Sequence, residues 1–307
     1  MSGETFDRRA AARGLAAILG SGRVLEDEPM SEHTTFRVGG PADLYAVPES
    51  ADGLVRALAW LRERDVPYFL LGKGSDLLVS DAGYRGVIVA AGDGLKGFSR
   101  EGDELTFGAG VSLKDATDKA LELGLGGLEF ACGIPGSVGG ACYMNAGAYG
   151  GQMADVLVRV RAVMPDGSVA DVPADELELG YRTSLIRTAG LVVVSATVRL
   201  EPRDPAEISA TMQDLTRRRE EKQPLEFGSA GSTFKRPEGH FAGKLITDAG
   251  CKGYRVGDAQ VSTKHAGFVV NLGHATAADV HAVIEHVQEE VERQFGVRLE
   301  CEVISLG

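Results

Sequence analysis

The sequence lacks the features that identify several classes of protein. None of its apolar stretches approaches the length needed to cross a membrane. The segment Met1–Gly20 has no apolar core followed by a cleavage site, so it does not resemble a signal peptide. The sequence also contains no repeat with a period of about 20 to 50 residues and no low-complexity segment. We therefore expect a cytoplasmic protein without a membrane contact.

Cysteine is scarce and negative charge is in excess. The four cysteines are scattered without CxxC spacing, and the six histidines form no ligand pattern beside them. This distribution argues against a zinc site and a disulfide framework, and we expect no bound metal. Acidic residues outnumber basic ones by 44 to 32, and the net charge of −12 argues against general nucleic-acid binding.

Glycine, in contrast, is abundant, with 41 residues in a chain of 307. The stretch Gly126–Gly151 holds nine glycines in 26 residues, which is too many for an ordinary helix or strand. Because the stretch is also too apolar for a flexible linker, it predicts tight turns packed inside the protein. These turns form either a structural crossing between two lobes or a backbone cradle for a large, flat or anionic cofactor.

Hydrophobic periodicity and turn residues predict three lobes that mix helices and strands. The first is βαβ-like, with predicted helices over Arg8–Leu19 and after the N-cap Ser50, and strands at Thr34–Val38, Ala42–Val47, Tyr68–Leu71 and Val87–Ala90. The second has a strand at Leu105–Gly110, a helix capped by Ser112, a hairpin turning at Asp166-Gly167 and a strand at Leu191–Leu200. The third has helices ending near Glu221, Ala249 and Phe295, and a final strand at Val297–Ile304.

The turn GKGSD follows a predicted strand of the first lobe. Gly72, Gly74 and Ser75 would present backbone N–H groups and a hydroxyl to a phosphate there. The turn lacks the third glycine of a dinucleotide fingerprint and the ending of a P-loop. Taken alone it is compatible with a plain turn, and the second glycine-rich stretch is what makes it a candidate binding segment.

Seven segments together resemble those of one enzyme family. They are HTTFRVGG, LGKGSDLLVSDAGYRGVIV, GIPGSVGGACYMNAGAYG, GYRTS, GSTFKRP, KHAGFVVN and LECEV. Their order and spacing resemble the UDP-N-acetylenolpyruvoylglucosamine reductases (the MurB family), from about His33 to the end of the chain. The short connection after Tyr181 is similar to that of the family's short-loop class, so the element that covers the nucleotide is left open.

The resemblance implies a fold and a reaction. The fold is α+β, with a two-lobed FAD-binding domain of the vanillyl-alcohol-oxidase (PCMH) type followed by a smaller α+β substrate-binding domain. The implied divisions are an N-terminal helical segment at 1–32, FAD-binding lobes at 33–92 and 93–203, and a substrate-binding domain at 204–307. In the implied reaction, NADPH reduces non-covalently bound FAD, which then passes hydride to the enolpyruvyl group of the UDP-linked sugar to give UDP-N-acetylmuramate.

Three residues match the family's catalytic positions. Hydride addition to an enolpyruvyl ether gives an enolate-like intermediate, whose carboxylate a guanidinium at Arg182 would hold through two N–H groups. Ser232 matches the serine that protonates the intermediate, and Glu302 matches the carboxylate that orients the substrate and takes part in acid–base work. Without the motifs, Arg182 would be interpreted as a surface ion pair and Glu302 as a charge on a solvated strand face, which Glu300 shares.

The resemblance also implies cofactor and substrate contacts. The predicted FAD contacts are Gly72, Lys73, Gly74, Ser75, Asp76, Gly133, Ile134, Pro135, Gly136, Ser137, Gly139, Gly140, Asn145 and Gly147. The predicted substrate contacts are Tyr181, Lys222, Lys252 and Lys264, with Lys222 at the diphosphate. Asp76 departs from the asparagine usual in the family, and its contact is left open because a carboxylate would repel a pyrophosphate. Valine at Gly136 or Gly139 is expected to abolish flavin retention more than folding.

Two alternatives accompany this interpretation. The first is a flavin oxidase of the same fold that acts on an alcohol or sugar, although no histidine or cysteine matches a position that tethers FAD covalently. The second is a flavin- or nucleotide-binding protein without catalysis, against which the three matched catalytic residues argue. We expect small-molecule partners only, without nucleic acid, and a monomeric chain.

Overall fold

The computed structural model describes residues 6–307 of the chain. Nine α-helices lie within them: α1 (Arg8–Leu19), α2 (Ala51–Arg62), α3 (Ala91–Gly94), α4 (Leu113–Glu122), α5 (Val138–Met144), α6 (Leu185–Thr188), α7 (Pro205–Lys222), α8 (Ala242–Asp248) and α9 (Ala277–Phe295). Among these described helices, none is long and apolar enough to span a bilayer.

The same residues form eighteen β-strands. They are β1 (Val24–Pro29), β2 (Pro41–Ala46), β3 (Tyr68–Leu71), β4 (Leu77–Val79), β5 (Tyr84–Ala90), β6 (Phe98–Glu101), β7 (Glu104–Gly108), β8 (Leu125–Gly126), β9 (Gly147–Ala148), β10 (Gly151–Gln152), β11 (Leu157–Val163), β12 (Val169–Pro173), β13 (Val192–Arg199), β14 (Glu201–Pro202), β15 (Arg255–Val256), β16 (Ala259–Val261), β17 (Val269–Asn271) and β18 (Ile304–Leu306).

The chain divides into two compact units. Unit 1 contains Leu44–Lys73, Gly86–Arg219 and the N-terminal segment through Glu26, whereas unit 2 contains Asp27–Asp43, Gly74–Arg85 and Glu220–Gly307. These bounds differ from the divisions implied by the resemblance, because residues 204–219 group with unit 1. The segments 27–43 and 74–85 group instead with the C-terminal residues.

In unit 1, helices α1 and α2 pack against each other and contribute to its core. Ser50 begins α2 as predicted, because its hydroxyl accepts a hydrogen bond from Gly53 N at 3.0 Å. Leu54, Leu58 and Leu61 are completely buried along one face of α2. Burial of each leucine contributes about 1.5–3 kcal/mol, so this face stabilises the lobe far more than the cap does. Strands β3 and β5 pair in parallel within a four-stranded sheet of order β1-β2-β5-β3.

Unit 1 also contains a five-stranded sheet of order β12-β11-β13-β7-β6, with antiparallel pairing throughout. The predicted hairpin between β11 and β12 is confirmed, and Gly167 supplies the positive φ of 87° that its turn needs. Helix α4 begins at the predicted cap Ser112, and α5 packs against β13. Helix α5 of the glycine-rich stretch therefore packs on this sheet.

Unit 2 is organised around helix α9, which packs on the three-stranded sheet β15-β16-β17. The predicted capping box of Thr276 and Asp279 is confirmed. A further carboxylate stabilises the same end, because Asp81 accepts hydrogen bonds from Ala277 N at 2.7 Å and Ala278 N at 3.0 Å. The buried face of α9 then carries the predicted apolar residues Val280, Ile284, Val287 and Val291.

Two predicted strands are wrong. Thr34–Val38 is a turn in which the Thr34 hydroxyl donates to the Val38 carbonyl at 2.9 Å and Arg37 has a φ of 55°. Of the predicted final strand, only Ile304 lies in β18, whose partner is the parallel strand β4. The sequence interpretation had not predicted β4, since its three residues adjoin a glycine-containing turn.

Candidate active site

The glycine-rich stretch begins with turns and continues into a helix of unit 1. Ser137 starts α5, because its hydroxyl accepts a hydrogen bond from Gly140 N at 3.3 Å. Asn145 ends the helix in the left-handed conformation, with a φ of 42°. The expectation that the stretch consists of turns alone is therefore wrong, since seven residues form a helix around Gly139 and Gly140.

Two of the predicted FAD-contact glycines are required by packing. A Cβ on Gly139 would lie 2.9 Å from the Cβ of Ala109, and a Cβ on Gly147 would lie 2.7 Å from the carbonyl oxygen of Gly151. Either side chain would force its neighbours to move. We therefore correct the expectation for Gly139, because valine there would disturb the contact of α5 with the chain after β7 before it affected a cofactor.

The two predicted FAD segments meet in unit 1. A Cβ on Gly72 would lie 2.7 Å from the Oγ of Ser137, so the turn after β3 lies directly against the start of α5. A Cβ on Gly92, after β5, would lie 2.2 Å from the carbonyl oxygen of Gly72. Sequence reasoning missed Gly92, although the carboxyl ends of parallel strands are a recurrent place for ligands. Backbone therefore lines this edge of the β3–β5 pair.

The remaining predicted FAD contacts of unit 1 are adjacent to this backbone. Ile134 and Gly136 form a turn, in which Gly136 N donates to the Ile134 carbonyl at 2.9 Å. Pro135 between them is exposed, and Lys73 is half-buried. The structure thus places these four residues in the same unit as Gly72 and Ser137.

The second half of the GKGSD turn belongs to unit 2. A Cβ on Gly74 would lie 2.0 Å from the His33 carbonyl oxygen, and Gly74 has a φ of 59°, so the local packing requires glycine here. The Asp76 carbonyl accepts a hydrogen bond from Ile304 N at 3.0 Å, which ties this part of the turn to β18. The side chains of Ser75 and Asp76 are half-buried.

The glycine-rich stretch holds the loop that carries Arg182. Asn145 Nδ2 donates to the Gly180 carbonyl at 3.0 Å, and the Ser184 hydroxyl donates to the Tyr143 carbonyl at 2.7 Å. Arg182 itself has a φ of 57°, which is strained for a residue other than glycine. Such strain persists only where the surroundings fix the backbone, and here the side chains of Asn145 and Ser184 do so.

Arg187 gives this loop a third support that the sequence interpretation missed. Its Nη1 donates to the Arg182 carbonyl at 3.2 Å. Tyr181 is 56% exposed, and the centre of its ring lies 5.0 Å from the guanidinium carbon of Arg182. The structure therefore places both predicted residues of this loop together in unit 1, with the Arg182 side chain half-buried.

In unit 2, Thr233 joins the serine loop to the C-terminal segment. Its backbone N–H donates to the Gly267 carbonyl at 2.8 Å, and its hydroxyl accepts from Val269 N at 3.0 Å. Its carbonyl accepts from Glu302 N at 2.8 Å. Thr233 is completely buried, so the exposed Ser232 beside it is fixed at its backbone and lies close in the fold to Glu302.

The two glutamates of the C-terminal segment differ in exposure, since Glu300 is exposed and Glu302 is half-buried. Glu300 forms an ion pair with Lys235 and has a largely exposed side chain, which favours an ordinary surface role. The Cys301 thiol donates to the Thr233 carbonyl at 3.4 Å, and burial raises its pKa to about 11. The thiol is therefore neutral at pH 7 and supports the serine loop.

The predicted substrate lysines share unit 2 with a histidine that the sequence interpretation missed. The pKa of His265 is lowered, chiefly by burial and further by the positive charges of Lys252 and Lys222. Lys264 Nζ donates to the Glu220 carbonyl at 2.6 Å, beside the end of α7. All three lysines are exposed, and together they form a local excess of positive charge in an acidic chain. His265 lies in the quoted segment KHAGFVVN, but the sequence interpretation gave it no role.

Comparison with known proteins identifies the family. A model of the FAD binding domain matches residues 42–172, and a model of the UDP-N-acetylenolpyruvoylglucosamine reductase C-terminal domain matches residues 223–306. The UDP-N-acetylenolpyruvoylglucosamine reductase of Clostridium perfringens is 52% identical over 281 residues, covering 92% of each chain. The chain belongs to this reductase family. The Agathobacter rectalis member is 51% identical over 296 residues, with 92% of this chain and 94% of the relative covered.

Solved structures support the family fold. The crystal structure of the reductase (MurB) from Thermus caldophilus superposes with a TM-score of 0.80 at 38% identity, and covers 93% of this chain and 99% of its own. The 4-ethylphenol oxidase from Gulosibacter chungangensis shares the fold alone, with a TM-score of 0.51 at 15% identity over 98% of this chain and 66% of its own. The predicted α+β fold with a PCMH-type FAD-binding domain and a smaller C-terminal domain is confirmed.

Gly140, which follows Gly139 in α5, has open space beside it in unit 1. A Cβ on this residue would meet only the Ser137 Oγ, at the ordinary distance of 3.4 Å. Unlike Gly139, it is therefore not required by contacts within the protein. Glycine in a helix destabilises it by about 0.5–1 kcal/mol relative to alanine, so an open glycine here suits a ligand that approaches the backbone closely.

Alanine at Gly140 is expected to weaken FAD binding by about tenfold or more, which corresponds to about 1.4 kcal/mol. The same substitution should leave the apoprotein as stable as the wild type, or more stable, because alanine favours the helix. Titration of the apoprotein with FAD and thermal melting measure the two effects. Gly22→Ala is the matched control, since a Cβ there has no neighbour within 4 Å, and an equal loss in both variants would contradict the interpretation.

Proposed function

We propose that the chain is an FAD-dependent reductase that uses NADPH to convert UDP-N-acetylenolpyruvoylglucosamine into UDP-N-acetylmuramate in peptidoglycan synthesis. The observation that carries this proposal is the 52% identity to a reductase of that name over 92% of both chains. The placement of Ser232 close to Glu302, in a loop that the hydrogen bonds of Thr233 hold, supports it independently of the identity.

The cofactor would be held without a covalent bond by backbone of Gly72, Lys73 and the turn and helix from Gly133 to Gly140. When bound, FAD takes up two electrons from NADPH and supplies a hydride equivalent to the enolpyruvyl group. Glycine-lined backbone suits this cofactor because N–H groups can approach its diphosphate without side-chain interference. Gly74, Ser75 and Asp76 are further FAD contacts that the motif match predicts.

Arg182 would bind the substrate carboxylate and stabilise the charge that develops on it. A guanidinium keeps its charge at any working pH and offers paired N–H donors that match a carboxylate. The hydrogen bonds from Asn145, Ser184 and Arg187 would fix its loop before the substrate arrives. Such prior organisation is what makes electrostatic stabilisation effective, because no reorganisation is needed during the reaction.

Ser232 would donate the proton to the carbon beside the carboxylate. A hydroxyl is a weak acid, so it can serve only when the acceptor is strongly basic and the geometry is fixed. Thr233 supplies that fixation through its backbone and hydroxyl. Glu302 would orient the substrate and take part in the proton transfer from its position next to the same loop.

Lys222, Lys252 and Lys264 would bind the diphosphate of the sugar nucleotide, with Tyr181 as a further contact. Ammonium groups act as point charges toward phosphate and need no fixed plane. Their exposure is compatible with a ligand that enters and leaves in every turnover. We further propose that the protein acts in the cytoplasm as a monomer on small molecules only.

Anaerobic reduction followed by substrate addition tests the function. Purified protein reconstituted with FAD is expected to be bleached by NADPH in the absence of oxygen. Addition of UDP-N-acetylenolpyruvoylglucosamine should then restore the yellow colour in proportion to the sugar nucleotide added. Oxygen consumption with a sugar or alcohol, together with indifference to NADPH, would favour an oxidase, and failure to bind FAD would exclude the proposed function.

A further inference from the structure

Arg219 lies in the last turn of α7, with its side chain over the predicted flavin segment of unit 1. A Cβ built on Gly133 would lie 2.8 Å from the Cδ of Arg219, and 3.5 Å from both its Nε and its Nη1. The side chain of Arg219 therefore lies against the turn at Gly133. Any side chain at residue 133 would displace it.

The charge of Arg219 has no counterpart among the residues that the structure describes. Neither an ion pair nor a hydrogen bond joins it to a carboxylate between residues 6 and 307. Burial lowers the pKa of Arg219, and the Tyr149 hydroxyl and the Cys132 thiol oppose this shift. In contrast, its neighbour Arg218 is half-exposed and pairs with Asp214 at 2.7 Å.

A partly desolvated guanidinium is unfavourable unless an anion or several acceptors compensate it. Its five N–H donors lie in one plane, which suits a pair of oxygens on a flat or doubly charged group. Among the residues that the structure describes, none around Arg219 provides such an acceptor, whereas the turn it covers is part of the segment predicted to bind FAD. A bound cofactor offers two anionic groups, the diphosphate and the pyrimidine edge of the reduced ring.

We infer that Arg219 binds an anionic oxygen of the bound FAD and is a cofactor-binding residue in addition to those that the sequence motifs predict. This inference rests on the proposed function only in taking FAD as the cofactor. The two possible sources of the oxygen differ in when the charge is present. The diphosphate is anionic at all times, whereas the ring edge becomes anionic on reduction.

Binding and redox measurements on Arg219→Gln test the inference without using turnover. The apoprotein is titrated with FAD and with riboflavin, and the reduction potential of the FAD-loaded protein is measured by spectroelectrochemistry. Contact with the diphosphate should weaken FAD binding by about tenfold to a hundredfold and leave riboflavin binding unchanged. Contact with the ring should lower the reduction potential, because the charge that stabilises the reduced ring is lost.

Arg218→Gln is the matched control, since it removes an exposed guanidinium from the same turn of helix. The inference is overturned if Arg219→Gln has the FAD affinity and the potential of the wild type, or if Arg218→Gln changes them equally. Arg219→Lys provides a second test that keeps a positive charge but removes the planar pair of donors, and it decides the matter if Arg219→Gln does not fold, because wild-type FAD affinity and potential in this variant would also contradict a guanidinium contact. A protein that binds FAD through Arg219 but does not oxidise NADPH would refute the proposed function alone.

Discussion

Replacement of Ser232 by alanine is expected to slow reoxidation of the reduced flavin by the sugar nucleotide by about 10²- to 10⁴-fold, the range of a lost general acid. Reduction by NADPH should keep its wild-type rate, because it involves no proton from this serine. The expectation rests on the exposed hydroxyl of Ser232 beside the fixed backbone of Thr233. Anaerobic stopped-flow absorbance separates the two half-reactions.

Ser229→Ala is the control for this experiment, because it removes a hydroxyl from the same loop. Ser229 N donates to the Thr35 carbonyl at 3.0 Å, and that backbone bond survives the substitution. Its two half-reactions should therefore match those of the wild type. If Ser232→Ala also reoxidises at the wild-type rate, the serine is not the proton donor.

Replacement of Arg182 by glutamine is expected to lower kcat/KM for the sugar nucleotide by about 10²- to 10³-fold, as when a preorganised donor to developing charge is lost. Lysine should restore the activity only in part, because an ammonium group lacks the planar pair of donors. The backbone at this residue keeps its positive φ in both variants, so the fold should be maintained. Steady-state kinetics and thermal melting measure the two effects.

Arg161→Gln provides a comparison for a surface arginine of unit 1. Arg161 lies 3.6 Å from Asp171 with an exposed side chain, an arrangement that contributes little to stability. This variant should have wild-type kinetics. Wild-type kcat/KM in Arg182→Gln would mean that the substrate carboxylate is held by another group.

Most helices could be predicted because their signals are local. Ser50, Ser112 and Thr276 each accept a hydrogen bond from a backbone N–H three residues later, and each begins a helix where the sequence predicted one. The hairpin at Asp166-Gly167 is equally local. Such features depend on neighbouring residues, so a single sequence is sufficient to locate them.

The errors arose where distant segments decide the structure. Strand β18 forms because β4 pairs with it, and the propensity of the last residues gives no indication of that partner. The turn at Thr34 is fixed by bonds to the GKGSD turn, including Thr35 N to the Gly74 carbonyl at 3.0 Å. Propensity favours extended structure for such β-branched residues, but tertiary contacts override it.

The candidate site shows the same division. Motif matches predicted Arg182, Ser232 and Glu302, and their roles stay predictions. The sequence could not show that a bridge between Phe234 and Cys301 brings the serine loop beside Glu302, since the two segments are far apart in the chain. It also could not separate Gly139, which packing requires, from Gly140, because both follow the same serine.

The interleaving of the two units has a consequence for the order in which the protein folds. Phe36, Val38 and Leu78 belong to the apolar core of unit 2, whose other members lie at Ala230 and beyond. During synthesis these early residues therefore cannot be buried in their core until the last third of the chain has been made. Contacts of such high sequence separation slow folding and leave apolar surface exposed to aggregation meanwhile. For the same reason, residues 223–306 expressed alone would lack part of their own core.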